Sequence, residues 1–145
     1  MLINLLTGLP VILLCLVLQA LFITCCLRTY LRFRPYTQAS PAMLPDILLL
    51  SAVMLLLMLG NCLQMALWAG LFLLLGEFDR FVDALYFSGV TFATLGYGDL
   101  VLSEGWRLLS ALEAANGILM FGVSTAVMTA AVSDLLKHNL RQQRP

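Results

Sequence analysis

The chain has 145 residues, of which 61% are hydrophobic and 11% are charged, and its formal net charge at pH 7 is zero. A soluble domain carries charge on about a quarter of its residues, so much of this surface must be solvated by lipid. No basic stripe is available to neutralise phosphates, which excludes a nucleic-acid partner. The sequence also shows no nucleophile–base set, phosphate loop or metal cluster. We therefore expect neither an enzyme, nor an organic cofactor, nor a small-molecule substrate.

Three apolar runs are each long enough to cross a bilayer as a helix. They extend from Leu5 to Leu27, from Asp46 to Leu75, and from Trp106 to Val132. No basic residue precedes the first run and no small-residue cleavage site follows it. We therefore predict a retained transmembrane helix rather than a signal peptide.

These runs divide the chain into two predicted parts. Residues 1–43 are expected to form an N-terminal transmembrane helix and a short polar cytoplasmic connection that is partly an interfacial helix. Residues 44–145 are expected to form a second domain. Its elements are an outer helix at 44–76, a short helix and loop at 80–100, and an inner helix at 106–136 before a short tail.

The charged residues predict the orientation in a cell membrane. Basic residues follow the first and third runs: Arg28, Arg32 and Arg34, then Lys137, Arg141 and Arg144. The segment between the second and third runs is net acidic. Because basic residues accumulate in cytoplasmic loops, the N-terminus is expected outside and the C-terminus inside, in a multi-pass protein of the inner or plasma membrane.

The stretch TFATLGYGDL, from Thr91 to Leu100, interrupts this apolar pattern on the outer side. It follows a segment, FVDALYFSGVTFA, that reads as a short helix. A short helix and an irregular strand between two full crossings form a re-entrant loop. Irregular backbone at membrane depth is tolerated only where it is buried in protein or lines a water-filled path.

The glycines of this stretch suit a path for a dehydrated cation. Such an ion needs backbone carbonyls that all point one way, which requires alternation between ordinary and left-handed backbone. Gly96 and Gly98 permit that alternation at low cost. Potassium would be held by the carbonyls of Thr94, Leu95, Gly96 and Tyr97, with the Thr94 hydroxyl closing the inner end. Carbonyl rings from four such loops select potassium.

TLGYGD also resembles the T-V-G-Y-G-D signature of tetrameric potassium channels, and the similarity extends over about residues 79–131. The resemblance is to a small bacterial-type channel with one extra N-terminal helix. It implies an all-α membrane protein with three transmembrane helices, a re-entrant pore helix and a selectivity filter at Thr94–Gly98. It further implies a homotetramer in lipid, with four chains around a central pore that passes potassium passively.

Further site residues follow from the same resemblance. Asp99 would lie at the outer mouth and Gly117 would be the hinge of the inner helix. The central cavity would be lined by Ile118, Phe121 and Thr125. The sequence departs from the family pattern in four places: Leu95 replaces valine, Tyr86 and Phe87 replace two tryptophans, and Val90 replaces an acidic residue of some members. The partners of Asp99 are therefore altered, which bears on the stability of the filter.

Polar residues within the apolar runs form a third group of candidates. An ionisable group at membrane depth is costly and is functional by default, so Glu113 is predicted to support the filter, with Thr91 and Ser88 as possible donors. Asn61, Gln64 and Trp68 share one face of the second helix and are interpreted as contacts between helices. Gln64 and Asn116 are expected at similar depth.

Two interpretations stay open at the inner end. The small residues between Ala126 and Ala130 would form a gate or would simply pack closely. His138 would sense cytoplasmic pH or would be an ordinary solvated residue. The rival functions are a nonselective cation channel, a non-conducting regulatory subunit and a subunit of a coupled potassium transporter. The gating stimulus and the role of the first helix are not predicted.

Overall fold

Every element in the described part of the chain is an α-helix, and that part contains no strand. The computed structural model describes residues 2–38 and 43–142, with side chains at 2–35 and 43–137. The helices are α1 (Leu2–Gln38), α2 (Leu44–Leu74), α3 (Phe81–Phe92) and α4 (Arg107–Gln142). The predicted all-α class is confirmed.

Three of the helices are long and apolar enough to cross a membrane, at Leu2–Pro35, Leu44–Leu74 and Arg107–Lys137. The short α3 lies between the second and third of these spans in the sequence and packs against both α2 and α4. A multi-pass membrane protein with one short inserted helix follows, as the apolar runs predicted.

The first helix extends beyond its predicted apolar run, which ends at Leu27. α1 continues through Arg28, Arg32 and Pro35 as far as Gln38. The inner helix likewise extends beyond its predicted end at residue 136, to Gln142. The physical reason is that hydropathy marks where lipid contact ends, whereas a helix continues as long as its backbone hydrogen bonds are satisfied. Long basic side chains extend from such an end to the membrane interface without interrupting it.

Two apolar cores hold the helices together at different depths. The first contains α2 and α3 aromatic rings, with Phe72 and Phe87 packed edge to face at a centroid distance of 5.3 Å. The second lies further along α1, where Cys26 and Tyr30 pack against Val53 of α2. α1 packs against α2 and α4 but not against α3.

A hydrogen-bonded chain of polar side chains crosses the middle of the bundle. Gln64 Nε2 donates to Gln19 Oε1 at 2.7 Å, and Gln19 Nε2 donates to Ser124 Oγ at 3.1 Å. The predicted polar face of α2 is therefore buried and joins helices. The partner of Gln64 is Gln19 of α1, which the sequence did not indicate.

α4 passes very close to the end of α3 at Gly117. A Cβ added there would lie 2.8 Å from the carbonyl carbon of Phe92 and closer still to its oxygen. α4 runs through this position without interruption. Glycine is thus required here by the approach of two backbones, whereas its proposed role as a hinge stays a prediction.

We expect Gly117→Ala to destabilise the protein, because the new methyl group would push α3 away from α4. Overpacking of this kind typically costs about 1–3 kcal/mol. The measurement is the melting temperature of the purified protein in detergent.

Gly70→Ala is the matched control, since a Cβ at this glycine of α2 would meet no atom within 4 Å. Its melting temperature should be unchanged or higher, because alanine favours the helix by about 0.5–1 kcal/mol. Equal melting temperatures for the two variants would contradict the close approach at Gly117.

Candidate functional site

The C-terminal end of α3 sets the start of the glycine-rich loop. The N–H of Thr94 donates to the carbonyl of Thr91, and the N–H of Leu95 donates to that of Val90, both at 2.9 Å. Thr94 has a φ of 58°. This pair of bonds around one left-handed residue is a Schellman motif, which satisfies carbonyls that a helix end leaves unpaired. The first residue of the loop is therefore also the cap of the helix.

Beyond this cap the backbone alternates in handedness. The φ angles are 58° at Thr94, 59° at Gly96 and 77° at Gly98, whereas Leu95 and Tyr97 between them have ordinary negative φ. The left-handed conformations expected at the two glycines are thus present, and Thr94 adopts one as well. A Cβ at Gly96 would meet no atom within 4 Å. Glycine is needed there for its φ and not for space.

Asp99 has a hydrogen-bond donor despite the departures from the family pattern. The hydroxyl of Tyr86 donates to Asp99 Oδ2 at 2.7 Å. This bond stabilises the carboxylate and lowers the pKa of Asp99, and it raises the pKa of Tyr86. The bond ties the end of the loop to the middle of α3. Sequence reasoning noted the tyrosine only as a replacement for tryptophan and missed its role as a donor.

Glu113 is fully buried and contacts α3 as expected. Its Oε1 pairs with Ser88 Oγ, and the same hydroxyl lies 2.8 Å from the backbone oxygen of Met65. A serine hydroxyl has one hydrogen, so both contacts are full hydrogen bonds only when Glu113 carries a proton. Ser88 then donates to Met65 and accepts from Glu113, which joins α2, α3 and α4 behind the loop.

Thr91 does not take part in this contact. Among the described residues its side chain makes no hydrogen bond to Glu113. It lies instead along an open cleft of about 420 Å³ between α3, the loop and α4, together with Thr94 and Gly96. The contact between Glu113 and the short helix therefore runs through Ser88.

A carboxylate joins the segment before α3 to the segment after the loop, a contact that the sequence did not predict. Ser103 donates twice to Glu77, from its N–H at 2.7 Å and from its hydroxyl at 2.6 Å. Glu77 precedes α3 and Ser103 follows the loop, so these bonds connect the two segments that flank α3 and the loop. The two residues are 26 positions apart, and no spacing rule connects them.

The predicted cavity residues lie on an open face of the single chain. Ile118 is 63% exposed and Phe121 is 37% exposed, and Thr125 is exposed as well. The ring of Phe121 packs edge to face on that of Phe92 at 5.5 Å, next to the start of the loop. The small residues of the predicted gate lie within the continuous α4, and the side chain of His138 lies outside the described residues.

Comparison with known proteins agrees with this arrangement. A family model described as "Ion channel" matches residues 47–134, which is more than half of the chain. No curated protein and no solved structure matched. The matched segment runs from α2 into α4 and so includes α3, the loop and Glu113, while α1 precedes it. The chain belongs to the ion channel family.

Proposed function

We propose that the protein is a potassium-selective channel that conducts K⁺ passively down its gradient. The observation that carries this proposal is the left-handed backbone at every second residue from Thr94 to Gly98. That alternation suits a row of carbonyls directed to one side, which replaces the hydration shell of a potassium ion. Between Thr91 and Gly98 the stretch contains no charged side chain.

The oxygens proposed to bind the transported ion are the carbonyls of Thr94, Leu95, Gly96 and Tyr97, with the hydroxyl of Thr94 at the inner end. The C-terminal end of α3 adjoins this inner end. The carbonyl end of a helix carries a partial negative charge, which favours a cation nearby. The loop oxygens and the carbonyl end of α3 both favour a desolvated monovalent cation over an anion.

The proposed assembly is a homotetramer. Each chain supplies one loop, and a potassium cage needs carbonyls from four. Closed symmetry is the usual arrangement of identical subunits. The open face of α4 that bears Ile118 and Thr125 would then line the central cavity. The proposed orientation has the loop on the outer side and the C-terminus in the cytoplasm, as the basic residues after α1 and α4 favour.

Gly96→Ala tests this function. Alanine at a φ of 59° is strained wherever it is placed, so the variant should insert and assemble but lose selective potassium flux. The measurement is the reversal potential in a planar bilayer under a potassium/sodium gradient. Gly105→Ala is the matched control, because that outer glycine has no positive φ and open space around it.

The outcomes separate the possible functions. A wild-type reversal potential near the potassium value supports the proposal, and one near zero indicates a nonselective channel. The lack of any current indicates a non-conducting subunit. Unchanged selectivity in Gly96→Ala would refute the assignment of the filter, and a native mass other than four chains would refute the tetramer.

Tyr86→Phe should make the filter more sensitive to external acid. The Tyr86 hydroxyl holds the pKa of Asp99 below its ordinary value, so the Asp99 carboxylate stays ionised to lower pH. Without the hydroxyl that pKa rises, and Asp99 becomes protonated at a higher pH. The midpoint of current loss on external acidification should therefore move to higher pH. Identical acid titrations of both proteins would show that this bond does not hold the outer mouth.

Glu113→Gln and Glu113→Ala test the proposed support behind the filter. Glutamine can still donate to Ser88, so this variant should conduct with modest change. Alanine removes this bond and leaves Ser88 bonded only to Met65, at a cost of about 0.5–1.5 kcal/mol per chain. The alanine variant should show a lower tetramer melting temperature and faster current decay in low potassium.

Glu104→Ala is the control for losing a carboxylate, since this side chain is 93% exposed and 3.9 Å from Arg107. It should resemble wild type in both assays. Wild-type behaviour of Glu113→Ala would remove the support role. Equal failure of the glutamine and alanine variants would show that the charge of Glu113 matters, and the hydrogen-bond explanation would be wrong.

A further inference from the structure

α1 is bound to α4 and to the segment just before it by polar contacts at three heights. Asn4 Nδ2 donates to the carbonyl of Gly105, just before α4, at 2.9 Å. Gln19 donates to Ser124 in the middle. Near the other end of α1, Tyr30 and Arg34 both bond to Asp134. Because the matched channel segment begins at residue 47, α1 is an addition whose purpose the proposed function leaves unexplained.

The contact at Asp134 uses both oxygens of its carboxylate. Oδ2 accepts from the Tyr30 hydroxyl at 2.7 Å, and Oδ1 accepts from Arg34 Nη2 at 2.8 Å. The two donors are four residues apart, so they lie on one face of α1. The Asp134 and Arg34 side chains are each 36% exposed, while Tyr30 is buried. Charge-assisted bonds of this kind are short and directional, so they fix the position of a helix end.

Packing below the carboxylate adds to this attachment. Ala131, one turn before Asp134, is buried in the same apolar core as Cys26 and Tyr30 of α1 and Val53 of α2. The Tyr30 hydroxyl also lies 3.4 Å from the backbone oxygen of Ala131. The last described turns of the α4 span are thus held from one side by a continuous polar and apolar contact with α1.

The attachment lies on the side of α4 away from the proposed cavity. Asp134 follows Thr125 by nine residues, which is about two and a half helical turns, so the two side chains point in opposite directions. Thr125 is exposed on the open face, together with Ile118. α1 therefore holds the inner helix from behind, at the depth where four inner helices would converge.

We infer that α1 sets the position of the cytoplasmic half of α4, and that Asp134 is the positioning residue through which it acts. This inference rests on the proposed channel function. Asp134 does not touch the filter, so weakening its bonds changes how often the pore is open and leaves ion selectivity unaltered. Arg34 and Tyr30 are its two partners in this role.

Single-channel recording in bilayers with potassium on both sides tests the inference. Arg34→Asp and Asp134→Arg each place two like charges together, so each should change the open probability by about fivefold, the low end of typical couplings between sites. The exchanged pair, Arg34→Asp with Asp134→Arg, should return it to within about twofold of wild type. The reversal potential in a potassium/sodium gradient should stay the same in all three.

Arg32→Asp is the matched control, because it reverses a basic charge on the same helix at an exposed position. It should leave the open probability unchanged. Tyr30→Phe is a milder variant that keeps the ring in the apolar core and removes only the hydroxyl. It should shift the open probability in the same direction as Asp134→Arg, by a smaller factor, even if a charge-reversed variant fails to fold.

The results distinguish failure of this inference from failure of the proposed function. Potassium-selective current in wild type with no effect of Arg34→Asp, Asp134→Arg or Tyr30→Phe overturns the inference and leaves the proposed function standing. Failure of the exchanged pair to restore the open probability, while each single variant alters it, also overturns it. A wild type without selective potassium current overturns the proposed function and this inference with it.

Discussion

The central constraint on this protein is that an irregular backbone must be enclosed before it can exist at membrane depth. Lipid offers no hydrogen-bond partners, so a loop with unpaired backbone groups needs protein around it. The chain meets this need with α3, whose own C-terminal cap begins the loop at Thr94. The bond from Tyr86 to Asp99 then ties the far end of the loop back to the same helix. One short helix thereby fixes both ends of the irregular segment.

The position of α3 therefore depends on the helices that pack against it. Gly117 lets α4 approach the Phe92 carbonyl, and Ser88 joins α3 to both Met65 and Glu113. These contacts come from α2 and α4, so a displacement of either crossing would move the loop. A close backbone contact and buried hydrogen bonds are lost after a small displacement. The geometry of the loop therefore depends on the whole scaffold.

The sequence predicted the parts of this arrangement that follow from local rules. Apolar run length gave the three crossings, and the glycines on either side of Tyr97 predicted the alternating backbone because few other residues adopt it cheaply. The partners of Asp99 and Glu77 were not predictable, since they lie 13 and 26 residues away and depend on how the elements rotate about their axes. The full length of α1 was missed for a different reason. Arg28 marks the end of lipid contact there but does not end the helix.

α1 shows why polar side chains matter more than apolar ones for arranging helices in a bilayer. Lipid tails solvate leucine as well as another helix does, so apolar surface alone gives α1 no preferred rotation or depth. Gln19 and Asp134 provide that preference, because each has a partner at only one height of the bundle. Individually such contacts are weak, and a half-exposed ion pair adds little to overall stability. Their effect is to choose one arrangement of α1 and α4 among many of nearly equal energy, as the inferred positioning role of Asp134 requires.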